Sequence, residues 1–182
     1  MKFVERSCRY FSKPGPENTE AVLEAVIKRV SEGDLKTVVV ASTSGKTGLK
    51  FVDALRGKAK VVVISHERMR ANLKEKIIDL GGMAEDETHL PLHRRGMEKI
   101  RNTLYTLGQG FKVAVEVILI AADKGIIRLR EDVVGVGGTG TGADTAIVAR
   151  SSSTREMLGS DPKKRLEIRE IIAIPLKKKW WE

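Results

Sequence analysis

A chain of 182 residues, 41% hydrophobic and 31% charged, has material for a sizeable core and is too apolar for disorder, so it reads as a single domain spanning 1–182. Lysine and arginine total 33 against 24 acids, a net charge of +9 that invites an acidic ligand or nucleic acid; scattered basic residues, 4% aromatics and the lack of any nucleic-acid motif set nucleic acid third, behind a small-ligand binder and an enzyme. One cysteine, Cys8, rules out an intramolecular disulfide and a cysteine metal site, and no apolar stretch reads as a secretion signal or membrane span, so the expectation is a soluble cytoplasmic protein.

Val4–Phe11 reads as an opening strand. Pro14, Gly15 and Pro16 then turn the chain into a helix running to about Val30, with Val22, Val26 and Val30 on its buried face and Gly33 closing it. Val38, Val39 and Val40 form a continuous apolar strand, as expected where both faces of a parallel sheet are covered. That strand runs into Ser42, Thr43, Ser44, Gly45, Lys46 and Thr47, and helical spacing resumes at Leu49. A loop in this position offers unpaired N–H groups and the positive end of a helix dipole; the hydroxyls, Gly45 and Lys46 add donors, close backbone approach and charge. The stretch is therefore a candidate cradle for a phosphate, with a capped strand-to-helix turn as the plainer reading. Gly45, Lys46 and Thr47 match the tail of a P-loop, but Val40 stands where its first glycine belongs, so the site is of monophosphate size.

A second apolar strand, Ala59–Ser65, completes a βαβ unit and is followed by His66, at the strand end where open α/β sheets bind ligands. Leu73, Ile77 and Leu80 mark a helix ended by Gly81 and Gly82, and Met97, Ile100, Leu104 and Leu107 mark another. His89 and His93 have helical spacing but Pro91 lies between them, so they make a poor metal pair, and no metal is expected. Phe111–Gly125 is rich in β-branched residues yet long, and is assigned as a helix on which Glu116 and Asp123 share a face. Glu116 stands in an apolar run: it contacts a ligand or takes a proton, or else pairs with Lys112 on a solvated face.

Gly135, Gly137 and Gly140 satisfy G-x-G-x-x-G, but the following Thr145–Ala149 is short and β-branched, which points to a second strand rather than the helix of a dinucleotide fold. Gly137, Gly138, Thr139, Gly140, Thr141, Gly142, Asp144 and Thr145 then belong to a loop between two strands, carrying its hydroxyls and carboxylate to the rim of the site or forming a simple hairpin connection. The tail KKKWWE reads as a frayed terminus or a contact in a homo-oligomer.

The order helix, Val-rich strand, TSGKT, helix, apolar strand over Glu17–Ser65 resembles the C-terminal domain of pyruvate kinase, whose T-x-S-G-x-[TS] loop holds an effector phosphate. The blocks KPGPENTE, STSGKT, FKVAVEVILIAADKG, VVGVGGTGTGADTA and EIIAIP are similar, in the same order, to those of an uncharacterised archaeal family of that fold, some members of which bind FMN. The resemblance implies a three-layer α/β/α sandwich with a mixed, mostly parallel sheet ending in an antiparallel strand near Ile168–Ile174. It also implies that Ser42–Thr47 takes the phosphate of FMN or a similar phosphorylated small molecule, with the Gly137–Thr145 loop beside it. The connection after His66 departs from the family by its shortness, and 182 residues cannot hold the roughly 250-residue barrel that performs pyruvate kinase chemistry, so that activity is not expected. The alternative is a flavin-dependent or sugar-phosphate enzyme, with Glu116, Asp123, His66 or Asn18 supplying acid–base chemistry.

Overall fold

Val38, Val39 and Val40 are each fully buried because strand β2 (Thr37–Ala41) lies inside a sheet, between β3 (Lys60–Ile64) and β5 (Asp132–Gly137), both parallel to it. Alternation sends Val38 and Val40 into one core and Val39 into another, on opposite faces of the sheet. The computed structural model describes residues 3–179 and builds them on one seven-stranded sheet. With β1 (Arg9–Phe11), β4 (Met83–Glu85), β6 (Thr145–Arg150) and β7 (Glu167–Pro175), the order is β1-β7-β6-β5-β2-β3-β4.

Helices α1 (Thr19–Val30), α2 (Lys46–Ala54) and α3 (Ala71–Asp79) cover one face through Val22, Val26, Phe51, Val52 and Ile77. The other face is covered by α4 (Glu98–Tyr105) and α5 (Gln109–Asp123), the latter buried nearly all round from Gly110 to Ala122. This is the expected three-layer sandwich. The apolar run 111–125 is a helix, since a segment of that length crossing a sheet satisfies its backbone internally. No helix among the described residues is long and apolar enough to cross a membrane.

Two expectations need correction, and one strand was not expected. The opening strand is only Arg9–Phe11, because β7 offers it just the rungs Ala173–Pro175. Strand β4, a short edge strand pairing with Val62–Ile64, carries too little apolar pattern to be seen in the sequence. The last strand, β7, does run antiparallel to β6, but it is parallel to β1; the reversed strand is β6, which is antiparallel to both β5 and β7.

Candidate functional site

The candidate cradle lies at the carboxyl end of β2. The Ser42 N–H donates to the Ile64 carbonyl at 2.9 Å and extends the ladder by one rung; the chain then turns and enters α2 through Gly45, at φ 90°. A left-handed residue is needed there, and glycine adopts it without the steric cost of a Cβ. Because the N-cap is glycine, no side chain caps α2; the Lys46 N–H meets only the Ser44 hydroxyl, at 3.4 Å, and the Thr47 and Gly48 N–H groups meet no acceptor among the described residues. Thr43 and Lys46 are exposed, Ser44 and Thr47 half-buried, and Ser42 buried. The loop is braced from behind by the Arg70 N–H on the Ser44 carbonyl at 3.4 Å; the Ser65 hydroxyl, whose proton goes to the Glu67 carbonyl at 2.6 Å, lies 3.2 Å from the Thr43 carbonyl. Open donors on a braced turn suit an oxyanion.

The glycine-rich loop stands beside it, because Val40 pairs with Val136 and β2 and β5 end together. Residues 138–144 join β5 to β6 as a hairpin, so the G-x-G-x-x-G pattern is not a dinucleotide site. Gly140 and Thr141 are exposed and Thr139 is half-buried, but Asp144 and Thr145 are buried rather than at the rim. The Asp144 carboxylate closes the loop from inside: Oδ2 accepts the N–H groups of Gly15 (3.2 Å) and Thr139 (3.0 Å), and Oδ1 accepts the Thr145 hydroxyl (2.9 Å). The Thr19 hydroxyl accepts the Ala143 N–H at 3.0 Å from the start of α1. Gly137 lets α5 approach: a Cβ there would meet the Gly110 carbonyl at 2.2 Å and the Ala114 nitrogen at 2.6 Å. The amino end of α5 therefore faces the same sheet edge as the cradle.

His66 follows β3 at this edge, half-exposed, with Nε2 3.3 Å from Glu67 Oε1. Glu116 does not reach the crevice. It pairs with Lys112, but both side chains are buried instead of lying on a solvated face, and its two oxygens are taken by Lys112 Nζ (2.9 Å) and the Leu92 N–H (3.0 Å). Asp123, on the same face of α5, is held by His89 (3.2 Å) and by the Thr154 N–H and hydroxyl. Asn18 donates to the Lys13 carbonyl. Among the described residues no group of three or more His, Cys, Asp or Glu is placed to hold a metal.

The sequence reads Gly15 only as a turn residue and His93 only as half of a poor metal pair, and gives Thr19 no role of its own; their roles as partners of the glycine-rich loop and of Lys112 come from the structure. The KPGPENTE block was the available signal for Gly15 and Thr19; nothing local pointed to the contact of His93 with Lys112. The tail is only partly described, Trp180–Glu182 lying outside, but Lys178 donates to the Pro175 carbonyl and the Lys179 carbonyl accepts the Gln109 N–H at 2.9 Å, so this part of the tail packs on the start of α5. A separate cleft of about 730 Å³, lined by Arg6, Arg29, Glu32 and Glu170 among others, contains none of the predicted site residues.

Loops leave β2 and β5 in different directions, one to α2 and one to β6, and so open a crevice at the carboxyl edge of the sheet, which is where doubly wound sheets take ligands. The fold is a three-layer α/β/α sandwich. The model of the pyruvate kinase alpha/beta domain matches residues 20–149 of the 182, and the chain belongs to that family.

Proposed function

We propose that this chain binds a phosphorylated small molecule, FMN foremost, with the phosphate on the Ser42–Thr47 turn and the rest of the ligand against the Gly137–Thr145 loop. The observation that carries this reading is the uncapped first turn of α2, where the Thr47 and Gly48 N–H groups meet no acceptor among the described residues and Lys46 is exposed beside them. The residues suit a phosphate. For the flavin ring, the crevice supplies exposed backbone at Gly140 and Thr141 rather than an aromatic stack.

A fluorescence titration of FMN with ligand-stripped protein, repeated with riboflavin, tests this. Binding of FMN with much weaker binding of riboflavin is the expected result, because only the first carries the phosphate. Binding of neither overturns the flavin assignment, and equal binding of both overturns the cradle.

A further inference from the structure

Helix α5 carries two ionisable side chains into the interior, Lys112 and Glu116, each 3% exposed. An ion pair this deep is a weak device for stability, since an apolar pair of similar volume does as well or better. Its third partner gives it another use. Lys112 Nζ lies 3.1 Å from Nε2 of His93, whose side chain is 39% exposed. An ammonium donates and cannot accept, so Nε2 is the acceptor and the ring proton resides on Nδ1, which meets no partner among the described residues.

The groups that face His93 are Lys112 and Glu116 from α5, Arg101 from α4, and His66 from the turn after β3; Tyr105 of α4 stacks on Lys112, 5.8 Å from its ring centroid. Burial first, and then the Lys112 charge, push the imidazole pKa below its usual 6.5, against the pull of Glu116, so the ring is neutral at pH 7. The connection that leads to His93 is anchored beside the cradle five residues earlier, at Thr88. The Thr88 N–H and hydroxyl donate to the Ser65 carbonyl at 3.1 and 3.0 Å, and the Ser65 hydroxyl oxygen lies 3.2 Å from the Thr43 carbonyl.

We propose that His93 is a hydrogen-bond donor to the bound ligand, presenting its Nδ1–H to a carbonyl or similar oxygen acceptor of the phosphorylated molecule, with Lys112 and Glu116 as positioning residues that fix the tautomer. This rests on the phosphate-cradle reading above. It extends the site from an anion anchor to a two-point clamp that selects phosphorylated ligands bearing an oxygen acceptor at their other end.

The test is nuclear magnetic resonance of the full chain labelled at histidine nitrogens, with FMN, ribose 5-phosphate and inorganic phosphate as probes. In the free protein His93 is expected as the Nδ1–H tautomer, titrating below 6.5. In Lys112→Met with Glu116→Gln, where the glutamine still accepts from Leu92, the tautomer preference is lost and the midpoint rises, which a purely structural pair would not cause. The Nδ1 signal moves with FMN or ribose 5-phosphate and not with inorganic phosphate, and His93→Phe, which also takes an acceptor from Lys112 and is therefore read beside its melting curve, weakens the organic ligand about tenfold while leaving inorganic phosphate unaffected, the loss of one good hydrogen bond. FMN bound by fluorescence with an unmoved His93 signal overturns this inference alone. A moved signal with ribose 5-phosphate but no FMN binding upholds it and removes the flavin. No response to any probe overturns both readings.

Discussion

The Oδ2 atom of Asp144 accepts the backbone N–H of Gly15 at 3.2 Å, joining positions 129 residues apart and seating the glycine-rich loop on the turn before α1. Asp144→Ala leaves the Gly15 and Thr139 N–H groups and the Thr145 hydroxyl without their acceptor in a fully buried place. Hydrogen bonds to a charged group contribute about 1.5–3 kcal/mol each, and stranded donors cost a comparable amount, so a loss of about 3 kcal/mol in urea unfolding is expected. Asp144→Asn, which keeps one acceptor oxygen, should lose less; equal losses would show that the carboxylate's charge is what the loop requires.

Lys46→Ala is the cleanest test of the cradle, since that side chain is exposed and makes no hydrogen bond or ion pair among the described residues. FMN affinity should fall about tenfold at low salt, the equivalent of one charge-assisted contact of about 1.4 kcal/mol, and fall less at high salt. Gly45→Val should abolish binding, but not with the fold untouched: Gly45 is at φ 90° and a Cβ would lie 3.1 Å from Cβ of Leu73. That strain costs about 1–2 kcal/mol before any ligand is considered, so affinities of this variant are read beside its melting curve.

Gly137 and Gly140 stand in the same loop region for opposite reasons. Gly140→Asn should cost well under 1 kcal/mol, because its φ of 83° suits asparagine and no atom lies within 4 Å of the added Cβ. Gly137→Ala drives a methyl into the backbone of α5 at 2.2 and 2.6 Å, which side-chain repacking cannot relieve. Expression and thermal melts of the two variants should separate them clearly, with Gly137→Ala losing more than the 1–3 kcal/mol usual for overpacking.

Acid stability should report the Arg29 cluster. Buried Arg29 donates to Asp34 at 2.6 and 2.8 Å and to Glu170 at 2.8 and 2.9 Å, and its hydrogen bonds hold the Asp34 carboxyl at about 2 against a usual 3.8. A carboxylate whose pKa is depressed in the folded state adds stability above its unfolded value, and that stability is lost as pH falls through the folded value. Stability should therefore decline between about pH 4 and pH 2 in urea melts, with the unfolded chain binding more protons over this window. Arg29→Met should flatten that part of the profile and cost about 2 kcal/mol at pH 7, less than a fully buried pair would, because Asp34 is 54% exposed.

What the amino-acid sequence determined by itself is the local pattern: Val38–Val40 as a strand buried on both faces, the small-residue turn from Ser42 to Thr47, the long helix carrying Glu116, and the glycine-rich connection between two strands. Each follows from a period of hydrophobicity or from the backbone freedom of glycine within a few residues. Tertiary structure decided the rest. Whether Asp144 faces solvent or the interior depends on Gly15, and whether Lys112 and Glu116 are solvated depends on Leu92, His93 and Tyr105, which arrive from other segments packed in the same layer. The reversal of β6 and the short pairing of β1 likewise depend on which strand lies alongside. A charged side chain on a helix has the same local sequence whether water or another element covers it, and only packing of distant segments sets its solvation.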